Sequence, residues 1–235
     1  MLQRHQIYWA AALLTASMAS APQAQTLRIA AADPISSADP QLNNHAGDRS
    51  LALQIFDTIA DRRDSGFSPS LALSWRTLDP LTWEFKLNPK ILWHDGQPFT
   101  SKDIAYSFQR VRNVAGSVAS YAGRLRMVKE VITPDAHTVI VKTSAPSPNL
   151  LQDLSALYIV SQHVGQNART EDYNAGRAVI GTGPYKLVSI PRVTAPSSAA
   201  MTITGVTDPI GLGSNTVLST MGLLAPPPCW LVMLT

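Results

Sequence analysis

Charged residues are distributed very unevenly along this chain of 235 residues, and the distribution limits which part can form a folded domain. All but three of the 19 basic and 16 acidic side chains lie between Thr26 and Ser189. The residues before Thr26 include only Arg4, and residues 190–235 include only two charges although they hold six of the 17 prolines. A globular domain has a polar surface around an apolar core, and its sequence mixes charged and apolar residues. We therefore expect the folded part of the chain between Thr26 and Ser189.

The overall composition excludes several classes of protein. Hydrophobic residues make up 45% of the chain and charged residues 15%, which excludes a multi-span membrane protein and a largely disordered chain. The net charge is only +3, and the basic residues are not clustered as they are in a nucleic-acid-binding protein. We therefore expect no nucleic acid partner. The single cysteine, Cys229, has no second cysteine with which to form an intramolecular disulfide.

Residues 1–24 have the pattern of a secretory signal peptide. Arg4 precedes an apolar stretch, Ile7–Ala16, that is shorter than the roughly 20 residues a membrane-spanning helix needs. Small residues follow, and cleavage after Ala19 or after Ala24 fits the pattern. We therefore expect the mature chain to be exported, and without a lipid anchor because no cysteine lies near the cut. A buried N-terminal helix is the alternative.

The segment from Thr26 to Ser189 has the mixed patterns of an α/β domain. Leu27–Ala31 is a strand-like run, and Asp48 is placed to cap a helix. The apolar positions of that helix recur at helical spacing and are Leu51, Ile55 and Ile59. A capping-box pattern at Thr100–Asp103 predicts a second helix. The apolar stripe of the second helix consists of Ile104, Phe108 and Val111.

Two antiparallel hairpins are predicted in the same segment. Leu73–Thr77 and Thr82–Leu87 flank a turn signal. Side chains of the second run alternate between apolar and charged, which indicates one buried and one wet face. Met127–Ile132 and Thr138–Val141 flank a Pro-Asp turn and form the other hairpin.

The sequence contains no clear motif for catalysis, metal binding or cofactor binding. Its histidines lack the spacing of zinc ligands, and no Gly-x-Ser-x-Gly elbow is present. Gly181-Thr182-Gly183 lacks the third glycine of a dinucleotide-binding fingerprint and instead predicts a tight turn before a strand at Tyr185–Val188. His94-Asp95-Gly96 could suggest a catalytic dyad, but Asp-Gly is a turn signal. We therefore predict no catalytic residue, no metal and no cofactor.

Several motifs, in this order, resemble those of one protein family. The motifs are Ser36–Pro40, with Ala38 in place of the usual leucine, followed by Leu71–Trp75, Leu81–Leu87, Trp93–Phe108 and Gly181–Leu187. The series is similar to that of the family 5 extracellular solute-binding proteins, which are periplasmic dipeptide, oligopeptide and nickel-binding receptors of ABC importers. The resemblance extends from about Thr26 to Ser189.

The resemblance implies an α/β fold of the periplasmic-binding-protein type II kind, here incomplete. The chain would carry most of the first lobe and an accessory β-rich subdomain, with the second lobe missing. A peptide or another small solute would bind between the lobes, and the closed receptor would dock on the membrane permease of an ABC importer. Dipeptides, longer peptides, opines, nickel complexes and sugars are all compatible. Candidate ligand-binding residues are Asp33, Ser36 and Tyr121, although a turn or surface role fits each equally well.

The resemblance ends near Ser189, where the charges disappear. Family members continue into a motif such as Arg-Asn-x-x-Tyr-Trp-Gly. A shifted reading frame, which joins the third base of each codon to the first two of the next, permits Arg or Ser and then Arg-Asn-Asp-Asp-Tyr-Trp-Gly over residues 198–206. The first Asp is compulsory, because the guanine of the Met201 codon precedes the first two bases of the Thr202 codon. Residues 227–235 permit a second family-like string, Ala-Leu-Leu-Ala-Gly-Asp-Val-Asp.

These observations divide the chain into three parts. Residues 1–24 are expected to be a signal peptide, residues 25–189 a partial N-terminal lobe, and residues 190–235 an out-of-frame and poorly ordered tail. A genuine low-charge tail is the alternative, whereas a membrane anchor is disfavoured because Pro226–Pro228 interrupt the one apolar run.

The expected function is that of the substrate-binding component of an ABC transporter, located in the periplasm and not an enzyme. Truncation would leave this chain non-functional. A stand-alone interaction module of the envelope and an exported hydrolase are the alternatives. Cooperative thermal unfolding would favour the module, and catalytic side chains converging in a pocket would favour the hydrolase.

Overall fold

The computed structural model of the protein describes residues 26–30, 33–189, 200–205 and 232–234. In chain order its elements are β1 (Thr26–Ala30), α1 (Ala46–Ile55), β2 (Ala60–Arg63), β3 (Gly66–Pro69), β4 (Ala72–Asp79), β5 (Thr82–Leu87), α2 (Ser101–Val111), a 3-10 helix (Tyr121–Leu125), β6 (Val128–Asp135), β7 (Thr138–Thr143), α3 (Leu150–Leu154), α4 (Gln162–Gly165), α5 (Thr170–Asn174), β8 (Tyr185–Ser189), β9 (Ala200–Gly205) and β10 (Val232–Leu234). None of the helices in these residues has the length and apolar character needed to span a membrane. The predicted signal peptide, residues 1–24, lies outside the described residues.

The strands form two four-stranded sheets and one separate hairpin. The first four-stranded sheet has the order β10-β1-β9-β8, and the second has the order β4-β5-β7-β6. The separate hairpin, β2 with β3, was not predicted from the sequence. Helices accompany these sheets along the chain, so the predicted α/β class is confirmed.

Both predicted hairpins are present in the second four-stranded sheet. β4 pairs with β5, β6 pairs with β7, and the pairing of β5 with β7 joins the two hairpins. The alternation in β5 has the predicted effect, because Phe85 and Leu87 are buried whereas Lys86 is exposed. The buried face belongs to the same hydrophobic cluster as the apolar stripe of α2.

The helix α2 begins where the capping-box pattern predicts. The backbone N–H of Thr100 donates to the Asp103 carboxylate over 2.8 Å, and the Thr100 hydroxyl donates to the same oxygen over 3.2 Å. The other oxygen of Asp103 accepts the backbone N–H of Gln162 over 2.8 Å. Asp103 therefore also ties the start of α2 to the start of α4, a role that the local pattern does not reveal.

The helix α1 differs from the prediction at both ends. It begins at Ala46 rather than after Asp48, and it ends at Ile55, so that Ile59 lies beyond the helix. The Asp48 carboxylate accepts three hydrogen bonds from the loop before the helix. These loop donors use the carboxylate that the prediction assigned to the helix cap, which is why the expected boundary was wrong.

The end of α1 packs tightly against the segment that precedes β8. Gly183 donates its N–H to the carbonyl oxygen of Ile55 over 2.9 Å. A Cβ atom at Gly181 would overlap this carbonyl group, and one at Gly183 would lie 2.7 Å from the Ile55 carbonyl carbon. Both glycines are therefore needed for the close approach of the two segments. The tight turn then leads into β8, where a strand was predicted.

Two short stretches of the tail, residues 190–235, belong to the first four-stranded sheet. β9 lies between β1 and β8, and β10 pairs with the other edge of β1. Ile203 of β9 is completely buried beside residues of α1. These strands differ from the expectation of a poorly ordered tail, because strand pairing uses backbone groups and a short stretch can join a sheet whatever its origin. The rest of the tail lies outside the described residues.

Candidate functional site

The segment between β1 and α1 includes a loop that folds into the protein. Its buried polar side chains are those of Ser37, Asp39, Gln41 and Asn43. Buried polar groups need hydrogen-bond partners, and these side chains find them on α2, on α5 and in the segment 117–120. The loop, residues 33–45, is therefore fixed to three other parts of the chain.

Asp39 is the centre of this polar network. Its completely buried carboxylate forms two bonds with the guanidinium of Arg110 in α2, at 3.0 and 2.6 Å. It also accepts the hydroxyl of Thr170, at the start of α5, over 2.9 Å. Burial of a carboxylate is tolerable only when the charge is paired and hydrogen-bonded. Asp39 therefore joins the loop to both helices.

The partner of Asp39, Arg110, is surrounded by aromatic rings. Its guanidinium lies over the ring of Tyr173, 4.7 Å from the centroid. Burial lowers the pKa of Arg110, but the hydrogen bond to Asp39 and other charges outweigh it and the pKa is raised. Burial raises the pKa of Tyr173, so its phenol stays neutral. Tyr106 of α2 also interacts with the Arg110 side chain. Gly165 leaves room for both tyrosines, since a Cβ there would lie 2.9 Å from the Tyr106 hydroxyl and 3.1 Å from the Tyr173 hydroxyl.

The two predicted ligand-binding residues of the loop, Asp33 and Ser36, are exposed. Ser36 donates both its backbone N–H and its hydroxyl to the Asp48 carboxylate, each over 2.6 Å. The backbone of Asp33 passes over Gly47 of α1, where a Cβ would lie 2.8 Å from the Asp33 carbonyl oxygen. Ser36 thus has a structural contact at the start of α1, and Asp33 lies at the solvent side of the same loop.

Tyr121, the third predicted residue, is buried. Only 4% of its surface is exposed, and its hydroxyl has no hydrogen-bond partner among the described residues. Burial raises the pKa of Tyr121, and the neighbouring Tyr158 raises it further. Burial also raises the pKa of Tyr158 to about 12. An unpartnered buried hydroxyl costs about 1–3 kcal/mol, and the Tyr121 hydroxyl is such a group within the described part of the chain.

The structure connects the two regions that hold the predicted residues. The N–H of Asn44 donates to the carbonyl of Ala119 over 3.0 Å. The N–H of Val118 donates to the Asn43 side chain over 3.1 Å. The loop after β1 and the segment that leads to Tyr121 therefore form one hydrogen-bonded region.

A further contact connects the turn at residues 93–97 to Gly181 and Gly183 before β8. We call it the His94 joint. The His94 ring uses both nitrogens, because Nε2 lies 2.8 Å from the Gly183 carbonyl and Nδ1 lies 3.3 Å from the Gly181 nitrogen. The Asp95 carboxylate lies 2.6 Å from Nε2 of His163 instead. His94 and Asp95 therefore bind different partners and do not form a dyad with each other.

One Ser-His-Asp series in the described residues has the composition of a serine-hydrolase triad but not its geometry. Ser161, His163 and Asp95 form a hydrogen-bonded series, with Ser161 Oγ 2.6 Å from His163 Nδ1. The ring is reversed relative to a serine-hydrolase triad, in which Nε2 faces the serine. The Ser161 hydroxyl is also buried and accepts the Val164 N–H at the start of α4. No group of three His, Cys, Asp or Glu side chains in the described part could hold a metal ion.

Comparison with known protein families decides the identity of this fold. The family described as "Bacterial extracellular solute-binding proteins, family 5 Middle" matches residues 66–195, which is more than half of the chain. The chain belongs to this family. The matched region of this family 5 protein contains both hairpins of the second sheet, α2 and the turn before β8. The family expected from the sequence motifs is confirmed, although the match begins at residue 66 and continues past Ser189 to residue 195.

Two relatives of this family 5 protein are named as peptide-binding proteins. A Brucella ovis protein named as an ABC transporter peptide-binding protein is 42% identical over 113 residues, which cover 46% of this chain and 21% of the relative. The periplasmic oligopeptide-binding protein OppA of Escherichia coli is 28% identical over 131 residues, which cover 48% of this chain and 24% of that protein. The chain thus spans about a fifth to a quarter of the length of these relatives.

Solved structures show the same fold over most of the chain. OppA of Burkholderia pseudomallei has a TM-score of 0.60 at 24% identity, with 67% of this chain and 34% of that chain covered. NikZ of Campylobacter jejuni, solved with Ni(L-His), has a TM-score of 0.60 at 22% identity, with 80% of this chain and 39% of that chain covered. The family 5 protein described here therefore corresponds to part of this α/β fold, in agreement with the predicted partial fold.

Sequence reasoning missed the residues that hold the loop in place. Asp39 and Arg110 are distant in sequence, and no local pattern links them. One signal was available, because Asp39 lies inside the Ser36–Pro40 motif that resembles the family element. Asn174 at the end of α5 gave no such signal, although its side chain accepts the Ser37 hydroxyl over 2.8 Å.

Proposed function

We propose that the receptor to which this chain belongs binds a peptide or another small solute and delivers it to the permease of an ABC importer. The family match at residues 66–195 carries this proposal. The name of the Brucella ovis relative, as a peptide-binding protein of an ABC transporter, supports it. Such a receptor encloses its ligand and performs no covalent chemistry, so we propose that the chain is not an enzyme.

The proposed ligand class is a small solute with peptide-like hydrogen-bonding groups. Similar structures have been solved with quite different ligands, including a bound peptide, Ni(L-His) and agropinic acid. Recognition through backbone groups suits a peptide main chain and leaves its side chains free. The 42% identity to a protein named as peptide-binding favours a peptide over the other solutes.

We propose that Asp33, Ser36 and Tyr121 contribute to the ligand-facing side of this lobe. The buried network around Asp39 supports this proposal, because it holds the loop in one conformation before a ligand arrives. The hydroxyl of Tyr121 has no partner among the described residues, and because it is buried a ligand could reach it only after the surrounding segment moves. The exposed position of Asp33 suits a positively charged ligand group.

Ligand binding by such a receptor requires two lobes. A ligand shifts the equilibrium from open to closed only through contacts that are better in the closed state, and those contacts come from both lobes. Only about a third of the solved family structures is matched by this chain. We therefore propose that this chain by itself is a partial, non-functional receptor.

We propose the same three-part organisation that the sequence indicates, with a signal peptide at residues 1–24, cut near Ala19 or Ala24, a partial lobe at 25–189 and an out-of-frame tail at 190–235. The loss of charge after Ser189 and the two family-like strings in the shifted frame support the last part. The strands β9 and β10 are compatible with it, because backbone pairing does not require a selected sequence. Export to the periplasm follows from the signal peptide.

Isothermal titration of the purified chain with a mixed peptide library tests the proposal. We expect no saturable heat, because the chain matches only about a third of the similar solved structures and a ligand needs contacts from both lobes. The matched control is the Escherichia coli oligopeptide-binding protein OppA, titrated with the same library under the same conditions. Circular dichroism of the chain establishes beforehand that the sample is folded.

A saturable signal in the micromolar range, together with a decrease in the radius of gyration on ligand addition, would contradict the proposal that this chain is an incomplete receptor. Binding by the control but not by the chain is the result that supports it. Tyr121→Phe provides a second comparison if binding does occur, because loss of its hydroxyl should weaken a ligand that donates or accepts a hydrogen bond there.

A further inference from the structure

In the His94 joint, one ring nitrogen accepts a hydrogen bond and the other donates one. Nδ1 accepts the N–H of Gly181 over 3.3 Å, so Nδ1 carries no proton. Nε2 lies 2.8 Å from the Gly183 carbonyl oxygen, which can only accept, so Nε2 carries the proton. The surrounding backbone therefore selects one neutral tautomer of His94.

A second proton on His94 would have to enter at Nδ1. There the new N–H of the ring would face the backbone N–H of Gly181. Two donors cannot form a hydrogen bond with each other. The hydrogen bond to Gly181 would be lost, whereas the bond from Nε2 to Gly183 would remain. Protonation thus weakens one of the two side-chain contacts that hold this turn.

Several charged groups face the joint. The ammonium of Lys186 in β8 lies 2.6 Å from the His94 carbonyl oxygen and opposes a positive ring, whereas Asp95 on the same turn favours it. Asp95 is engaged by His163 of α4, and Asp57 after α1 accepts the hydroxyl of Thr182 over 2.7 Å. The pKa of His94 is lowered overall. Burial of the ring is the largest cause and the Lys186 charge adds to it, whereas the bond to Gly183 and the Asp95 charge act in the opposite direction.

We propose that His94 is a pH-sensitive latch that holds the Gly181–Gly183 turn when its ring is neutral and loosens that turn when the ring is protonated. The turn carries the chain from the end of α1 into β8, so its loosening affects the packing of both elements. The latch lies within the matched family region, and it is independent of which solute the receptor binds.

The direction of the pH effect follows from the lowered pKa of His94 in the folded chain. Between that value and the ordinary histidine pKa of about 6.5, the unfolded chain binds more protons than the folded chain. The stabilisation by neutral His94 is therefore complete above about pH 6.5 and decreases as the pH falls through the folded-state value. The bond from Gly181 to His94 is therefore present at neutral pH and lost in acid.

Amide hydrogen exchange of the full chain, read by NMR from about pH 8 to about pH 5, tests the latch. After correction for intrinsic exchange, we expect the protection factor of the Gly181 amide to fall about five- to tenfold, the effect of one lost hydrogen bond. The fall should follow the chemical shift of the His94 ring. The Ala72 amide, bonded to the Ile59 carbonyl at 2.9 Å, is the internal control and should not follow it.

A matched pair of variants separates His94 from other titrating groups. In His94→Asn the amide oxygen can accept the Gly181 N–H but cannot titrate, so the protection of Gly181 should no longer depend on pH. His45→Gln removes an exposed histidine and should retain the wild-type dependence. A Gly181 protection factor that stays constant while the His94 ring titrates would overturn the proposal. If His94→Asn does not fold, the wild-type titration alone decides.

Discussion

Gly181→Ala is expected to destabilise the folded chain by about 3 kcal/mol or more. The new Cβ would overlap the carbonyl group of Ile55 and lie 2.6 Å from its carbon atom. Backbone atoms at the end of a helix cannot move aside as a flexible side chain can. The substitution should therefore separate α1 from the turn before β8 and break the bond from Gly183 to Ile55.

Urea unfolding monitored by circular dichroism measures this loss. Gly123→Ala is the matched control, because a Cβ at Gly123 would meet no atom of a distant residue within 4 Å and its backbone conformation requires no glycine. That variant should change the free energy of unfolding by no more than about 0.5 kcal/mol. Equal midpoints for Gly181→Ala and the wild type would show that the close approach of the two segments is not required.

Asp39→Ala is expected to cost about 3–5 kcal/mol of unfolding free energy. The substitution leaves the buried Arg110 guanidinium without its carboxylate and the Thr170 hydroxyl without its acceptor. The penalty arises chiefly from the unpaired buried charge, so it should be largely absent when the charge is removed too. The double variant Asp39→Leu with Arg110→Met should recover most of the stability.

The same urea experiment, with the exposed ion pair of Asp61 and Arg63 as reference, measures this effect. Both side chains of that pair are about half exposed, so Asp61→Ala should change stability by less than about 0.5 kcal/mol. A loss for Asp39→Ala no larger than for Asp61→Ala would mean that the network does not fix the loop. The proposed role of the loop in presenting Asp33 and Ser36 would then lose its support.

Elements with a strong local pattern were predictable from the sequence. The alternation of apolar and charged residues in Thr82–Leu87 specifies which face of β5 is buried, because the side-chain period of a strand is two. The capping box at Thr100–Asp103 specifies where α2 begins, since both partners are three positions apart. In each case the information lies within a few neighbouring residues.

Elements that depend on distant contacts could not be predicted. α4 and α5 contain only four and five residues, too few for an apolar periodicity to show. Their ends are fixed by side chains far along the chain, as when Asn174 accepts the Ser37 hydroxyl. Asp48 illustrates the same limit, because a pattern that suggests a helix cap does not show that a preceding loop will use the carboxylate.

The candidate site was predictable from the sequence only in part. A family-like motif identified the loop after β1, and the structure connects that loop through Asn43 and Asn44 to the segment that leads to the candidate residue Tyr121. Exposure was not predictable, because the sequence suggested a loop at Tyr121, whereas the residue begins a 3-10 helix and packs into the hydrophobic cluster under the second sheet. The ligand-facing role of these residues stays a prediction.

The nucleotide sequence of the gene, from the codon of Gly181 past the stop codon, distinguishes a partial receptor from a protein with a genuine low-charge tail. We predict that a shifted frame, entered near Ser189, reads Arg-Asn-Asp-Asp-Tyr-Trp-Gly at the codons of residues 199–206 and continues into further receptor-like sequence for a second lobe. Stop codons in every frame soon after Thr235, or codons that exclude these residues, would contradict the out-of-frame interpretation of the tail.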